Sequence, residues 1–298
     1  MDLSTRHEKA ASYALFVIPG LCIYLFVTAF PTILAVGISL TNYNGGPIFS
    51  SRDFKFTGLR SYTLIFSDPY FYIALKNNML VVLVSVFGQI PLGFIIAYIL
   101  SRKMVKGMDF FQTVVYLPNV ISPIIIGILF KAFFLSRDSL AMDIMMFFNP
   151  NAEMSISRYP MTPVLIVLLW MYTGSYVIIF LANLQRIDTT IIESAKMDGA
   201  GEWQIFTRIL LPALSGVIVI CAILAISGSL KIFDLLLVMT QGGPASQTMV
   251  LALYMYNKAF RSGVNFSIAN AISTIMAVIS FAMIGITMIF ESLFGGKE

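Results

Sequence analysis

The sequence is short of charge, histidine and cysteine. Asp, Glu, Lys and Arg together make up 11 % of its 298 residues, against roughly 25 % in an average soluble protein. A water-soluble globule needs a polar shell that so few charges cannot supply, and disordered chains and coiled coils need more charge still. There is one histidine, His7, and there are two cysteines, Cys22 and Cys221, both in apolar runs. That set cannot build an ordinary zinc or iron site, a disulfide scaffold or a Ser-His hydrolase. The long apolar runs hold almost no Asp or Glu, which argues against carboxylate-rich metal sites. No G-x-x-x-x-G-K-[ST] phosphate loop occurs; Gly295-Gly296-Lys297 lacks both the earlier glycine and the Ser or Thr after the lysine. The chain is therefore expected to carry no cofactor of its own and not to bind ATP. Its 19 basic residues are scattered rather than clustered, so a bilayer accounts for them better than nucleic acid does.

Apolar residues fill the gap. They form 58 % of the chain, and the mean hydropathy is +0.86. Six long uncharged stretches each reach the roughly 20 residues needed to cross a bilayer. They predict spans at about 13–40, 77–101, 112–134, 161–184, 211–233 and 266–290. The expected fold is an all-α membrane protein: a six-span domain over 13–293, a short N-terminal segment 1–12 and a tail 294–298. The first apolar run is too long for the core of a cleavable signal. A seventh uncharged stretch, Leu235 to Asn257, contains Thr240-Gln241-Gly242-Gly243-Pro244. These residues interrupt a helix, so the stretch reads as a structured loop at the membrane surface, with a seventh span as the alternative. Six spans put both termini on one side. Lys and Arg are densest in the short connections, with Arg102, Lys103 and Lys106 in one and Arg186, Lys196 and Arg208 in another, so that side reads as the cytoplasm.

The connection 186–212 is the most specific segment. Thr190 and Glu193 have capping-box spacing, so a helix is expected to start at Thr190. Ile191, Ile192 and Ala195 are expected to share one apolar face of it. Gly199 and Gly201 are expected to end it. A second amphipathic piece carrying Trp203, Phe206 and Ile209 leads to Pro212. Such a crosswise helix can dock in a partner protein or lie on lipid headgroups, and both readings stand on physics alone.

Glu193-Ser194-Ala195, then Asp198-Gly199-Ala200, then Ile209-Leu210-Leu211-Pro212 resembles the EAA motif of inner-membrane permease subunits of ABC importers, with Ser194 in place of the usual alanine. Phe233-Asp234, Thr240, Gly242-Gly243-Pro244, Thr248 and Tyr254-Met255-Tyr256 resemble the outer-loop signature of the carbohydrate, maltose-type permeases. So do Phe56-Thr57-Gly58-Leu59, Asp68-Pro69 and Leu117-Pro118. The similarity is that of the first of the two maltose-type permeases and runs from about Pro19 to Phe290.

The resemblance implies a six-span, type I importer fold with a cytoplasmic coupling helix in a bacterial or archaeal inner membrane, and a non-enzymatic role. It implies four kinds of partner: a second permease of a different sequence, two ATPase subunits that bind ATP and Mg, an extracytoplasmic solute-binding protein, and a sugar of two or more units. Glu193, Ser194, Ala195, Met197, Asp198 and Gly199 would dock the ATPase, although Glu193 also suits a helix cap and Gly199 a helix stop. Substrate contacts would fall on Met171, Tyr172, Ser175, Ala225, Gly228, Ser229 and Ile232. The alternative there is that the small residues pack helix on helix. Gly242, Gly243 and Pro244 would face the binding protein. Lys131, Arg137 and Lys231 suit either an acidic sugar or snorkelling at helix ends. The same signatures would serve an importer of glycerol phosphate or a polyol. An ion-coupled carrier would need a buried coupling group, which the spans lack.

Overall fold

In a computed structural model of the chain, the described residues are 15–46, 55–102, 107–135, 139–148, 160–261 and 263–294. The expected N-terminal segment 1–12 and most of the tail lie outside them, with His7, Lys103, Lys106 and Arg137. Among the described residues the regular structure is helical, with a single antiparallel bridge between Thr41 and Phe56. This bears out the all-α expectation.

The helices are α1 (Leu15–Ser39), α2 (Arg60–Phe66), α3 (Pro69–Ser101), α4 (Met108–Val120), α5 (Pro123–Leu135), α6 (Leu140–Phe148), α7 (Met161–Leu184), α8 (Thr189–Met197), α9 (residues 202–213), α10 (Ser215–Leu230), α11 (Asp234–Met239), α12 (Leu251–Phe260) and α13 (Phe266–Phe294). Among the described residues, five runs are long and apolar enough to cross a membrane, counting α10 and α11 as one, and six if the bent pair α4–α5 counts as one span.

The chain divides into two compact units. One comprises residues 1–67 and 255–275. Within it Ser61 Oγ lies 2.6 Å from Ser267 Oγ, and Ser39 Oγ lies 2.8 Å from Tyr62 Oη. The other comprises residues 68–254 and 276–298 and holds both candidate sites. Its centre is the crossing of α3 and α7, where Phe94 and Phe180 pack at 5.0 Å between ring centroids. Two glycines set how closely the helices approach. A Cβ on Gly93 would lie 2.7 Å from the Cβ of Tyr176, and one on Gly174 would lie 2.4 Å from the carbonyl oxygen of Val115 on α4.

Three of the expectations change. The helix that carries the second expected span starts at Pro69, ahead of residue 77, because the Asp68 carboxylate caps it by accepting from the Tyr70 N–H at 3.0 Å. The third is not one rod. It breaks after Val120 into α4 and α5, bent by 95°; Pro123 disfavours helical backbone before it, and Ile121 is extended, with ψ 139°. The stretch from Leu235 is not a surface loop but a helix, a tight turn and a second helix. Leu235, Leu236, Met239, Val250, Leu251 and Leu253 are all buried. Its apolar residues are core, and α11 packs on α5, where Gly127 gives way to Val238.

Three π-helical segments interrupt the long helices: Leu25–Ala29, Ser85–Gln89 and Ile205–Leu210. Each ends two residues before a proline: Pro31, Pro91 and Pro212. Proline has no N–H to donate, and its ring collides with the carbonyl four residues back. Widening the preceding turn relieves the collision without breaking the helix.

Candidate functional site

The first constellation is the connection from α7 to α10. The α8 cap is Asp188, not Thr190: its carboxylate accepts from the Thr190 N–H at 3.0 Å. Those bonds from Thr190 hold the Asp188 carboxyl below the usual carboxylate range. The expected capping box is therefore absent. Glu193 is exposed, with no hydrogen-bond or ion-pair partner among the described residues, and the Ser194 hydroxyl turns back to the Thr190 carbonyl at 2.8 Å.

The apolar face also differs from expectation. Ile192 is buried and Ala195 packs beside it, but Ile191 points outward. Met197 is 89 % exposed. Gly199, at φ +85°, ends the helix: its N–H donates to the Lys196 carbonyl and the Ala200 N–H to the Ala195 carbonyl, the Schellman arrangement. Gly201 does not end α8 but opens α9, its N–H donating to Gln204 Oε1 at 3.0 Å. In α9 the inward residues are Ile205, Phe206, Ile209 and Leu210. Phe206 stacks on Phe94 of α3, and Trp203 covers Phe206 while remaining 74 % exposed.

Glu202 ties the connection together, and the sequence reading did not single it out. Its Oε1 lies 2.7 Å from Lys196 Nζ on α8 and 3.4 Å from Arg102 Nη2 just past α3. Its Oε2 accepts from the Tyr98 hydroxyl. Lys196 first, then Tyr98 and Arg102, pull the Glu202 carboxyl down to about 2. One carboxylate thus fastens α8 and α9 to the end of α3.

The second constellation is a cleft of about 360 Å³ between α3, α7, α10 and the start of α11, within the size range of small-ligand sites. Tyr172, Ser175, Ala225, Gly228, Ser229 and Ile232 line it. Met171 does not; it is buried on another side of α7. The hydroxyls of Tyr172 and Ser175 have no partner among the described residues. A Cβ on Gly228 would meet nothing within 4 Å, so this glycine leaves room in the cleft and does not pack helix on helix. Ser229 donates to Ser85 Oγ at 2.9 Å. Lys231 and Asp234 also line the cleft and form no ion pair among the described residues.

Gly242, Gly243 and Pro244 sit in the turn between α11 and α12. Gly242 is buried and Pro244 exposed. The buried Thr248 hydroxyl braces the turn, 2.8 Å from both Thr240 Oγ1 and the Gly243 carbonyl. Asn77 and Asn78 of α3 hold the segment that follows. Asn77 donates to the carbonyls of Gln247 and Met249, each at 2.8 Å. Asn78 accepts from the Leu251 N–H at 2.7 Å and donates to the Ser229 carbonyl at 2.9 Å.

Long apolar helices, a short exposed helix in the connection between two of them and a lined cleft are the parts of a membrane transport component. Residues 89–295 match the binding-protein-dependent transport system inner membrane component family, and the chain belongs to that family. It is an ABC importer permease of the multi-pass, inner-membrane kind, a transport component and not an enzyme. The chain is 31 % identical over 277 residues to the lactose transport system permease LacF of Rhizobium radiobacter, covering 90 % of this chain and 91 % of that one. It is 32 % identical over 279 residues to the multiple sugar-binding transport system permease MsmF of Streptococcus mutans, covering 93 % and 92 %. Its fold matches a chain of a bacterial alginate ABC transporter solved in complex with an alginate pentasaccharide-bound periplasmic protein. That match has a TM-score of 0.81 at 20 % identity and covers 97 % of this chain and 96 % of that one.

Proposed function

We propose that this chain forms half of the translocation path of an ATP-driven importer for a sugar of two or more units. The observation that carries the reading is the cleft. Tyr172 and Ser175 offer free hydroxyls, Tyr172 adds an aromatic face, and Gly228 leaves open space. Sugars are bound by such a mixture of hydrogen-bonding groups and ring faces. The similarity to LacF and MsmF supports the same substrate class.

The energy would come from elsewhere, since the chain has no phosphate loop. A partner ATPase holding ATP and Mg would seat on α8, whose outward residues are Ile191, Glu193, Met197 and Asp198. Apolar side chains exposed beyond the spans are the mark of a protein-binding surface. Closure of two ATPase subunits would move α8. Glu202 and the Phe206–Phe94 stack would pass that motion to α3, and α9 would pass it to α10 beside the cleft. A second permease of different sequence would complete the path. An extracytoplasmic binding protein would deliver the sugar at the turn 242–244, with both termini and α8 in the cytoplasm.

The test is a mild-detergent pull-down of the tagged chain from its native membrane, with Glu193→Lys and Gly199→Asp in parallel. An ATPase and a second permease should come with the native chain, and the ATPase should be lost from both variants. A chain that comes out alone, or variants that keep the ATPase, would overturn the assembly or the docking site respectively.

A further inference from the structure

Two polar residues of the cleft lie on the second span, outside the fourth and fifth spans to which the substrate contacts were assigned. They are Ser85 and Gln89, 5 % and 2 % exposed. They are the first and last residues of the π segment that Pro91 forces on α3. Single π turns inside α-helices recur at functional sites because the extra residue redirects side chains that a regular helix would place elsewhere.

Their hydrogen bonding is half complete. Gln89 Nε2 donates to the Leu168 carbonyl at 2.9 Å, which fixes which way the amide points. Its Oε1 has no hydrogen-bond partner among the described residues and is not sealed off, so it is open to the cleft that the side chain lines. Ser85 Oγ accepts the Ser229 hydroxyl at 2.9 Å, and its own O–H has no acceptor among the described residues. Here one acceptor and one donor remain, four residues apart on one wall.

We infer that Ser85 and Gln89 are substrate-binding residues that read neighbouring hydroxyls of a saccharide, Gln89 Oε1 accepting from one and Ser85 O–H donating to the other. A hydroxyl is both donor and acceptor, so a vicinal pair on a sugar ring meets both needs at once. An apolar ligand would leave both groups desolvated and unpaired. The assignment rests on the reading of the cleft as a sugar path.

The test uses the complete transporter in proteoliposomes, with its binding protein saturated by labelled lactose, maltotriose or raffinose. Ser85→Ala keeps the Gln89–Leu168 bond; Gln89→Leu removes the acceptor as well. For the sugar taken up, each variant should slow uptake on the order of ten-fold, the worth of one buried hydrogen bond. The penalty should vanish for the one deoxy form of that sugar that lacks the hydroxyl the residue reads. An equal loss on the parent sugar and on every deoxy form would mean a packing role and overturn the assignment. If Gln89→Leu does not reach the membrane, Ser85→Ala decides alone. No ATP-driven uptake of any of the three sugars by the unaltered transporter would overturn the sugar reading itself, and this assignment with it.

Discussion

The two ends of α3 are held by opposite means. Near its start, Asn77 and Asn78 are buried and make four neutral hydrogen bonds to backbone groups of the α11–α12 segment and of α10. At its finish, about 36 Å away at 1.5 Å per residue, Tyr98 in its last turn and Arg102 just beyond it meet Glu202 in a partly exposed cluster of charge. The buried end fixes one geometry, because any other arrangement leaves backbone groups unpaired in a medium without water. At the charged end the Glu202 carboxylate is 42 % exposed, so its ion pairs can be exchanged for water at lower cost than the buried amide bonds. A rigid end beside the cleft and an adjustable end at the α7–α10 connection suit a transport subunit that must move at one place and keep its shape at the other.

The largest effect should come from the rigid end. Asn78→Leu would strand the Leu251 N–H and the Ser229 carbonyl, for a loss of about 2–4 kcal/mol. The midpoint of thermal unfolding in detergent should fall and should not respond to salt. A loss below about 0.5 kcal/mol would break the contrast. Next comes Gly199→Ala on the adjustable side. Nothing lies within 4 Å of the added methyl, but φ is +85°, a region costing a residue with a Cβ roughly 1 kcal/mol. The variant should fold with a small drop in midpoint; a drop as large as that of Asn78→Leu would show that α8 is held more rigidly than its charges suggest. Glu202→Gln should cost less than about 1 kcal/mol, and 1 M salt should erase the difference from the native chain.

How much of this was legible follows the same division. Local signals survived: the uncharged runs gave the long helices, and Gly199 gave the end of α8. Competition between neighbouring caps was harder to read, since Asp188 stands two residues before Thr190 and takes the cap first. Leu235 to Asn257 misled because the apolar runs on either side of a glycine-proline turn look the same whether they lie on a surface or are packed into a core; burial is a tertiary fact. Ser85 and Gln89 were overlooked because substrate contacts were sought on two spans only. Their signal was Pro91 inside a helical run, which forces an irregular turn just before it. The clasp at Glu202 was hidden, since two of its three partners, Tyr98 and Arg102, lie about a hundred residues earlier.

The smallest expected effect is also the one that isolates the charged end. The Glu202 carboxyl is held at about 2, below its ordinary 4.5, by Lys196 before Tyr98 and Arg102. A carboxylate depressed in the folded state adds stability above its unfolded value and loses it as pH falls toward the folded value. The contribution should therefore be whole above about pH 4.5 and fade between there and about pH 2. Because the side chain is 42 % exposed, water screens the cluster and keeps its size in the surface-pair range. Unfolding midpoints of the native chain and of Glu202→Gln should differ slightly at pH 6, and the difference should shrink steadily as pH falls from about 4.5 toward about 2. Asn78→Leu should keep its full deficit across that range, since no group it touches titrates there. Parallel curves for Glu202→Gln and the native chain would show that the carboxylate acts as a packed polar group, and the distinction between the two ends of α3 would then rest on burial alone.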